Sequence, residues 1–143
     1  MQVRIRRYRD ADKNGVLMLW RDADIDRPWL DLGVEITEKR RRDRSLFLVA
    51  SEGARIVGAV MGAYDGRRGW VYHLAAAPER RRRGIGRALM TELERRMVRL
   101  GITKVNLQVR ADNLQVVGFY QQLGYVDENL TSLEKWLPPP SQK

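Results

Sequence analysis

The stretch RRRRGIGRAL, residues 80–89, sets four arginines directly against Gly-Ile-Gly. The apolar run WVYHLAA precedes it at 70–76. After it, Ile85, Leu89, Leu93, Met97 and Leu100 recur every three or four positions, and Gly101 follows. The pattern predicts a buried strand, a tight loop and an amphipathic helix with a glycine stop. A helix start carries N–H groups without partners and a partial positive charge, so it stabilises an anion. Gly84 and Gly86 keep Cβ atoms out of a phosphate's way. Backbone N–H groups across Arg81, Arg82, Arg83, Gly84, Ile85, Gly86 and Arg87 can ring a diphosphate, and guanidinium heads add charge. No third glycine makes this a dinucleotide fingerprint, and no Gly-Lys-Ser/Thr makes it a P-loop. Taken alone, the stretch is equally a charged turn.

Other residues of chemical interest lie on both sides. His73 is the only histidine, and an imidazole ordinarily titrates near ~6.5. Strand alternation turns it away from Tyr72 and Leu74. Ala75, Ala76 and Ala77 leave room for a ligand or fill a tight strand end. RDADIDRPWLD, residues 21–31, gathers Asp22, Asp24, Asp26 and Asp31 around Trp29, against the prevailing charge. It is a solvated loop or a wall that attracts a cation. Farther on, NLQVVGFYQQLGY (113–125) is helical, with Asn113 placed to cap it and Gly124 to end it. Val116, Tyr120 and Leu123 share one face, so the spacing alone makes Tyr120 a core aromatic.

The elements that must position these groups follow from periodicity. QVRIRRY reads as a strand, 10–21 as a helix and 34–42 as a shorter helix ending in basic residues. SLFLVA, RIVGAVMGAY and WVYHLAA are strands joined by the turns SEGA and DGRRG, an antiparallel meander. Gly58 and Gly62 within the second of these point to crowding against a helix, or to a close ligand. The helix after Gly84 leads to a fifth strand, KVNLQV, then the helix after Asn113, and SLEKW as a last strand. The order β-α-α-β-β-β-α-β-α-β gives an α/β (α+β) fold, one mixed sheet covered by helices. Residues 1–137 form a single domain and 138–143 a disordered tail.

LAAAPERRRRGIGRALMTELE followed by NLQVVGFYQQLGY resembles the GNAT superfamily of N-acetyltransferases. Arg81, Gly84 and Gly86 meet that family's Arg/Gln-x-x-Gly-x-Gly/Ala motif, and Asn113, Phe119, Tyr120, Gly124 and Tyr125 meet its second element. Val116 stands where a smaller residue is usual. More narrowly, DRPW (26–29), SLFLVA (45–50) and MGAYDGRRG (61–69) resemble the bacterial YpeA-type acetyltransferases. The resemblance implies a mostly antiparallel sheet of six to seven strands flanked by about four helices. It implies acetyl-CoA as cosubstrate, its pyrophosphate on residues 81–87 and its pantetheine arm on the main chain of Leu74 and Ala76, with Asn113 also bonding the arm. It implies that the Ala76 N–H faces the thioester oxygen and that Tyr120 serves the departing thiolate. Relatives carry a Glu base on the strand before the loop; here that strand has none. His73, Tyr72, or water leading to Asp26 or Asp65 remain as routes for the amine's proton. Asp26, Trp29 and Tyr72 are the expected acceptor-side wall.

Composition bounds the alternatives. The chain has 143 residues, a formal charge of +9 spread over its length, and no Cys. Disulfides are excluded, and no donor set for a structural zinc site exists, so no metal is expected. No apolar run reaches the ~20 residues of a membrane span, and the charged N-terminus does not read as a secretory signal. The expected setting is the cytoplasm, with a small-molecule or peptide amine as partner and no membrane. A nucleic-acid module would need arginines on one face interleaved with aromatics. RRRR has none interleaved, so no nucleic acid is expected. A domain that binds acetyl-CoA without catalysis is the other alternative. Exposed edge strands allow a homodimer.

Overall fold

The computed structural model describes residues 2–139. Its strands are β1 (Val3–Arg7), β2 (Phe47–Glu52), β3 (Arg55–Tyr64), β4 (Gly69–Ala76) and β5 (Val105–Leu107), one sheet in that spatial order. The first three pairings are antiparallel, and β4–β5 is parallel. The helices are α1 (Lys13–Asp22), α2 (Leu32–Arg42), α3 (Ile85–Arg99) and α4 (Leu114–Gln122), with 3-10 turns at Asp10–Asp12 and Pro78–Arg80. The chain divides into two compact units, residues 1–108 with the whole sheet and residues 109–143 with α4.

The α3 stripe explains its position. Ile85, Leu89, Met90, Leu93 and Met97 are buried, each contributing about 1.5–3 kcal/mol by leaving water. The sheet meets this stripe with glycine. A Cβ on Gly58 would lie 2.6 Å from Ile85, and one on Gly62 2.5 Å from Leu93. Crowding against a helix therefore accounts for both glycines. On the other face, the fully buried Trp20 of α1 stacks on Phe47 with ring centres 6.1 Å apart, and Phe47 stacks on Tyr8 at 4.3 Å.

Local chemistry sets the helix starts. Asp31 accepts from the Val34 N–H at 3.1 Å and caps α2. Asp12 accepts from the Arg9 N–H at 2.8 Å and from both terminal nitrogens of Arg6 at 2.8 and 2.9 Å, tying β1 to the turn before α1.

The sheet has five strands among the described residues, not the expected six to seven. SLEKW is not one of them: residues 125–139 take neither helix nor strand. Leu133 and Trp136 stand three apart rather than two, and both are exposed. That spacing cannot give a strand one buried face. Of the expected tail 138–143, residues 140–143 lie outside the described residues.

Candidate functional site: an uncapped helix start beside an open strand edge

The loop between β4 and α3 leaves its amides free. The Arg81 N–H donates to Pro78 O at 3.3 Å, and the first bond of the new helix runs from Ala88 N–H to Gly84 O at 2.9 Å. Between them, no N–H from Arg82 to Arg87 donates to a partner among the described residues. The free amides therefore begin at Arg82 rather than at Arg81. Arg82 (φ 66°) and Gly84 (φ 78°) both take left-handed backbone. Such turns aim consecutive N–H groups inward and form an anion-binding concavity. No side chain caps α3, and a Cβ on Gly84 would meet nothing within 4 Å. The space over this helix start is open.

The arginines divide by role. Arg80 bonds Glu52 at 2.6 Å and anchors the loop to the end of β2. That bond is the main reason the Glu52 carboxyl lies below its ordinary range. Arg81, Arg82, Arg83 and Arg87 are exposed and make no ion pair among the described residues. They supply the positive field.

The end of β4 is open on one side. Its pairing with β5 covers only Gly69–Val71, so no strand borders Tyr72–Ala76 there among the described residues. The Ala77 N–H donates to Val57 O at 2.8 Å. Bonded pairs alternate along an antiparallel ladder, so Ala75 also faces β3, and the main-chain groups of Leu74 and Ala76 face the open side.

A bulge interrupts β4 just before them. The β3 register runs from Ala59↔Ala75 to Met61↔Tyr72, so His73 and Leu74 together oppose Val60. The extra residue resets the alternation. Tyr72 and His73 fall on the same face, that of α1 and α2, where strict alternation would have separated them. His73 holds φ 53°, a conformation costing a non-glycine residue about 1–3 kcal/mol. Its carbonyl accepts from Trp20 Nε1 at 3.0 Å, its ring meets the Trp20 ring edge-on at 5.1 Å, and its Nε2 lies 3.0 Å from Glu35 Oε1.

Glu35 is the group that sequence reasoning missed. It stands in the first turn of α2, where an acid merely complements the helix dipole, and 38 residues separate it from His73. No local spacing signals the pair.

No hydrogen bond or ring contact joins the acceptor-side candidates Asp26, Trp29 and Tyr72 to one another among the described residues. Asp24 pairs with Arg27 at 3.3 Å, and Asp31 is spent on the α2 cap. Asp26 and Trp29 are exposed, and neither bonds nor stacks with Tyr72 among the described residues. Tyr72 stacks on Trp70 with centres 6.5 Å apart. Burial, then the Asp65 charge, push its phenol above the ordinary value. Asp65 is held at about 2 by the N–H groups of Arg68 and Arg67 and by Trp70 Nε1. A carboxylate so held is a poor proton acceptor.

In the second unit, Asn113 caps α4 by accepting from the Val116 N–H at 3.4 Å. Tyr120 is buried, with its ring edge-on to Phe119 at 5.2 Å and to Tyr125 at 5.6 Å. Burial pushes its phenol up to about 12.

A mixed sheet opens at a parallel strand pair next to a helix start with free amides, an α/β arrangement whose amides can accept an anion. The acetyltransferase (GNAT) family's sequence profile matches residues 14–125, and the chain belongs to that family. Solved structures agree on the fold. Ard1 from Thermoplasma volcanium superposes with a TM-score of 0.75 at 24% identity, covering 88% of this chain and 84% of that one. The ribosomal-protein-S18-alanine N-acetyltransferase from Escherichia coli gives 0.75 at 20%, covering 86% and 77%. The PaiA N-acetyltransferase from Thermoplasma acidophilum, solved with coenzyme A, gives 0.74 at 19%, covering 92% and 94%. No helix among the described residues is long and apolar enough to cross a membrane.

Proposed function

We propose that the protein is an acetyl-CoA-dependent N-acetyltransferase that moves an acetyl group to a primary amine by direct attack in a ternary complex. The observation that carries this reading is the run of unpartnered N–H groups from Arg82 to Arg87, joined to the open main-chain edge of Leu74 and Ala76. The loop binds the pyrophosphate through its backbone, and the arginine heads add charge. The pantetheine arm pairs with Leu74 and Ala76. The Ala76 N–H donates to the thioester oxygen, and such a donor is worth roughly 3–4 kcal/mol as charge builds there. Asn113 serves its helix as a cap and the arm as a hydrogen-bond partner. Tyr120 stabilises the departing thiolate. Asp26, Trp29 and Tyr72 supply contacts for the acceptor.

The Escherichia coli neighbour is named for acetylating an alanine of ribosomal protein S18, so peptide N-termini belong among the acceptors to try. The test is a screen of polyamines, amino acids, aminoglycosides and N-terminal peptides, following coenzyme A release and the acetylated product. Transfer to at least one amine class is expected. Coenzyme A binding with no transfer across the panel would leave a binding domain without catalysis.

A further inference from the structure

Three elements converge on His73. From α1, Trp20 fixes its carbonyl and lies edge-on to its ring; from α2, Glu35 meets Nε2; β4 itself supplies the bulge that turns it. A left-handed non-glycine residue persists only where its surroundings over-determine it, and such strain gathers at functional positions. Here it stands one residue before Leu74, where the open main-chain edge begins.

The chemistry of the contact restricts the imidazole. An ionised carboxylate only accepts hydrogen bonds, so at 3.0 Å from Glu35 Oε1 the Nε2 atom must carry a hydrogen. In the neutral ring Nδ1 is then the acceptor. The ring is largely covered, its side chain retaining 18% of its exposure, which leaves part of it open to solvent. One nitrogen is thus committed to the protein and the other left with a lone pair.

We propose that Glu35 is a positioning residue that holds His73 as the Nε2–H tautomer, so that Nδ1 takes the proton of the attacking amine. The inference rests on the transfer reaction proposed above. The amine lone pair forms the N–C bond to the thioester carbonyl, and an N–H bond breaks as its proton passes to Nδ1. The C–S bond breaks with its electron pair going to sulfur, which accepts a hydrogen bond from Tyr120. The imidazolium formed is stabilised by the Glu35 charge and returns its proton to water.

Because His73 is the only histidine, its ring nitrogens can be read by 15N NMR without assignment. The spectrum of the neutral wild-type ring, recorded at a pH where it is uncharged, is expected to show Nε2 protonated and Nδ1 bare. Glu35→Ala should lose that preference and lower kcat about 10–100-fold, a share of what a general base contributes, with acetyl-CoA KM changed less than about twofold. Glu35→Gln keeps an oxygen able to accept from Nε2–H and should recover part of both the tautomer and the rate. His73→Gln should lower kcat at least as far as Glu35→Ala. A neutral wild-type ring with Nδ1 protonated overturns the inference. So does a kcat unmoved in all three variants of an enzyme whose wild type transfers acetyl groups, and that result leaves the transfer reaction standing. A wild type that acetylates no amine in the panel removes both.

Discussion

Substituting Gly84 separates ligand binding from folding. Gly84 sits at φ 78°, and Gly101, at the far end of the same helix, at φ 81°. A Cβ at either position meets nothing within 4 Å. Gly84→Ala and Gly101→Ala therefore carry the same left-handed strain, roughly 1–2 kcal/mol, and no clash. In a chain of this size 1 kcal/mol moves the melting temperature by about 4 °C. Both variants should melt about 4–8 °C below the wild type. Coenzyme A distinguishes them. At about 100 times its Kd a ligand stabilises the folded state by about 2.7 kcal/mol, so the wild type should gain about 10 °C. The methyl at 101 stands far along α3 from the loop, and that variant should keep the whole gain. The methyl at 84 stands in the open space that the proposal gives to the diphosphate, and most of the gain should vanish. Scanning calorimetry with and without coenzyme A measures all six states. A full ligand-induced shift in Gly84→Ala, or an equal loss in Gly101→Ala, would refute the cradle.

Two further outcomes test other parts of the molecule. Proton transfer from a phenol at about 12 to a thiolate with an ordinary pKa near ~8.5 is uphill by about 5 kcal/mol, so in the proposed reaction Tyr120 is expected to act by hydrogen bonding. Such a bond to a charged acceptor is worth ~1.5–3 kcal/mol; Tyr120→Phe should lower kcat about 10–150-fold and leave acetyl-CoA affinity by calorimetry unchanged, and an unaltered kcat would take Tyr120 out of the reaction. Burial pushes the Asp12 carboxyl up, but its bonds to Arg6 and the Arg9 N–H more than offset this, so it ends below 3.8. A carboxyl depressed by folding adds stability above pH ~3.8 that is lost as pH falls through the folded value. Asp12→Asn should cost about 1–3 kcal/mol at neutral pH and flatten the fall in stability below pH 4 in urea melts; unchanged stability and slope would exclude that role.

Much of the candidate site was legible in one dimension, because its parts are local. A strand, a glycine turn and a helix start are neighbours along the chain, and the free amides follow from the geometry of any uncapped helix. The α3 stripe and the facing Gly58 and Gly62 were legible for a similar reason: burial imposes a period on the sequence. The missing strand at SLEKW was misread because two apolar residues and a short length suffice to suggest a strand, while the three-residue spacing denies it a buried face.

What residue order by itself determined is the four helices and the first five strands, the unblocked amides at Gly84 and the charge around them, since each depends on dihedral preference, periodicity or nearest neighbours. Tertiary structure alone decided that Arg80 is an anchor on Glu52 and that Glu35 meets His73. Those pairings join residues far apart in the chain. The second exists only where packing brings α1 and α2 onto the face of a sheet whose alternation one extra residue has shifted.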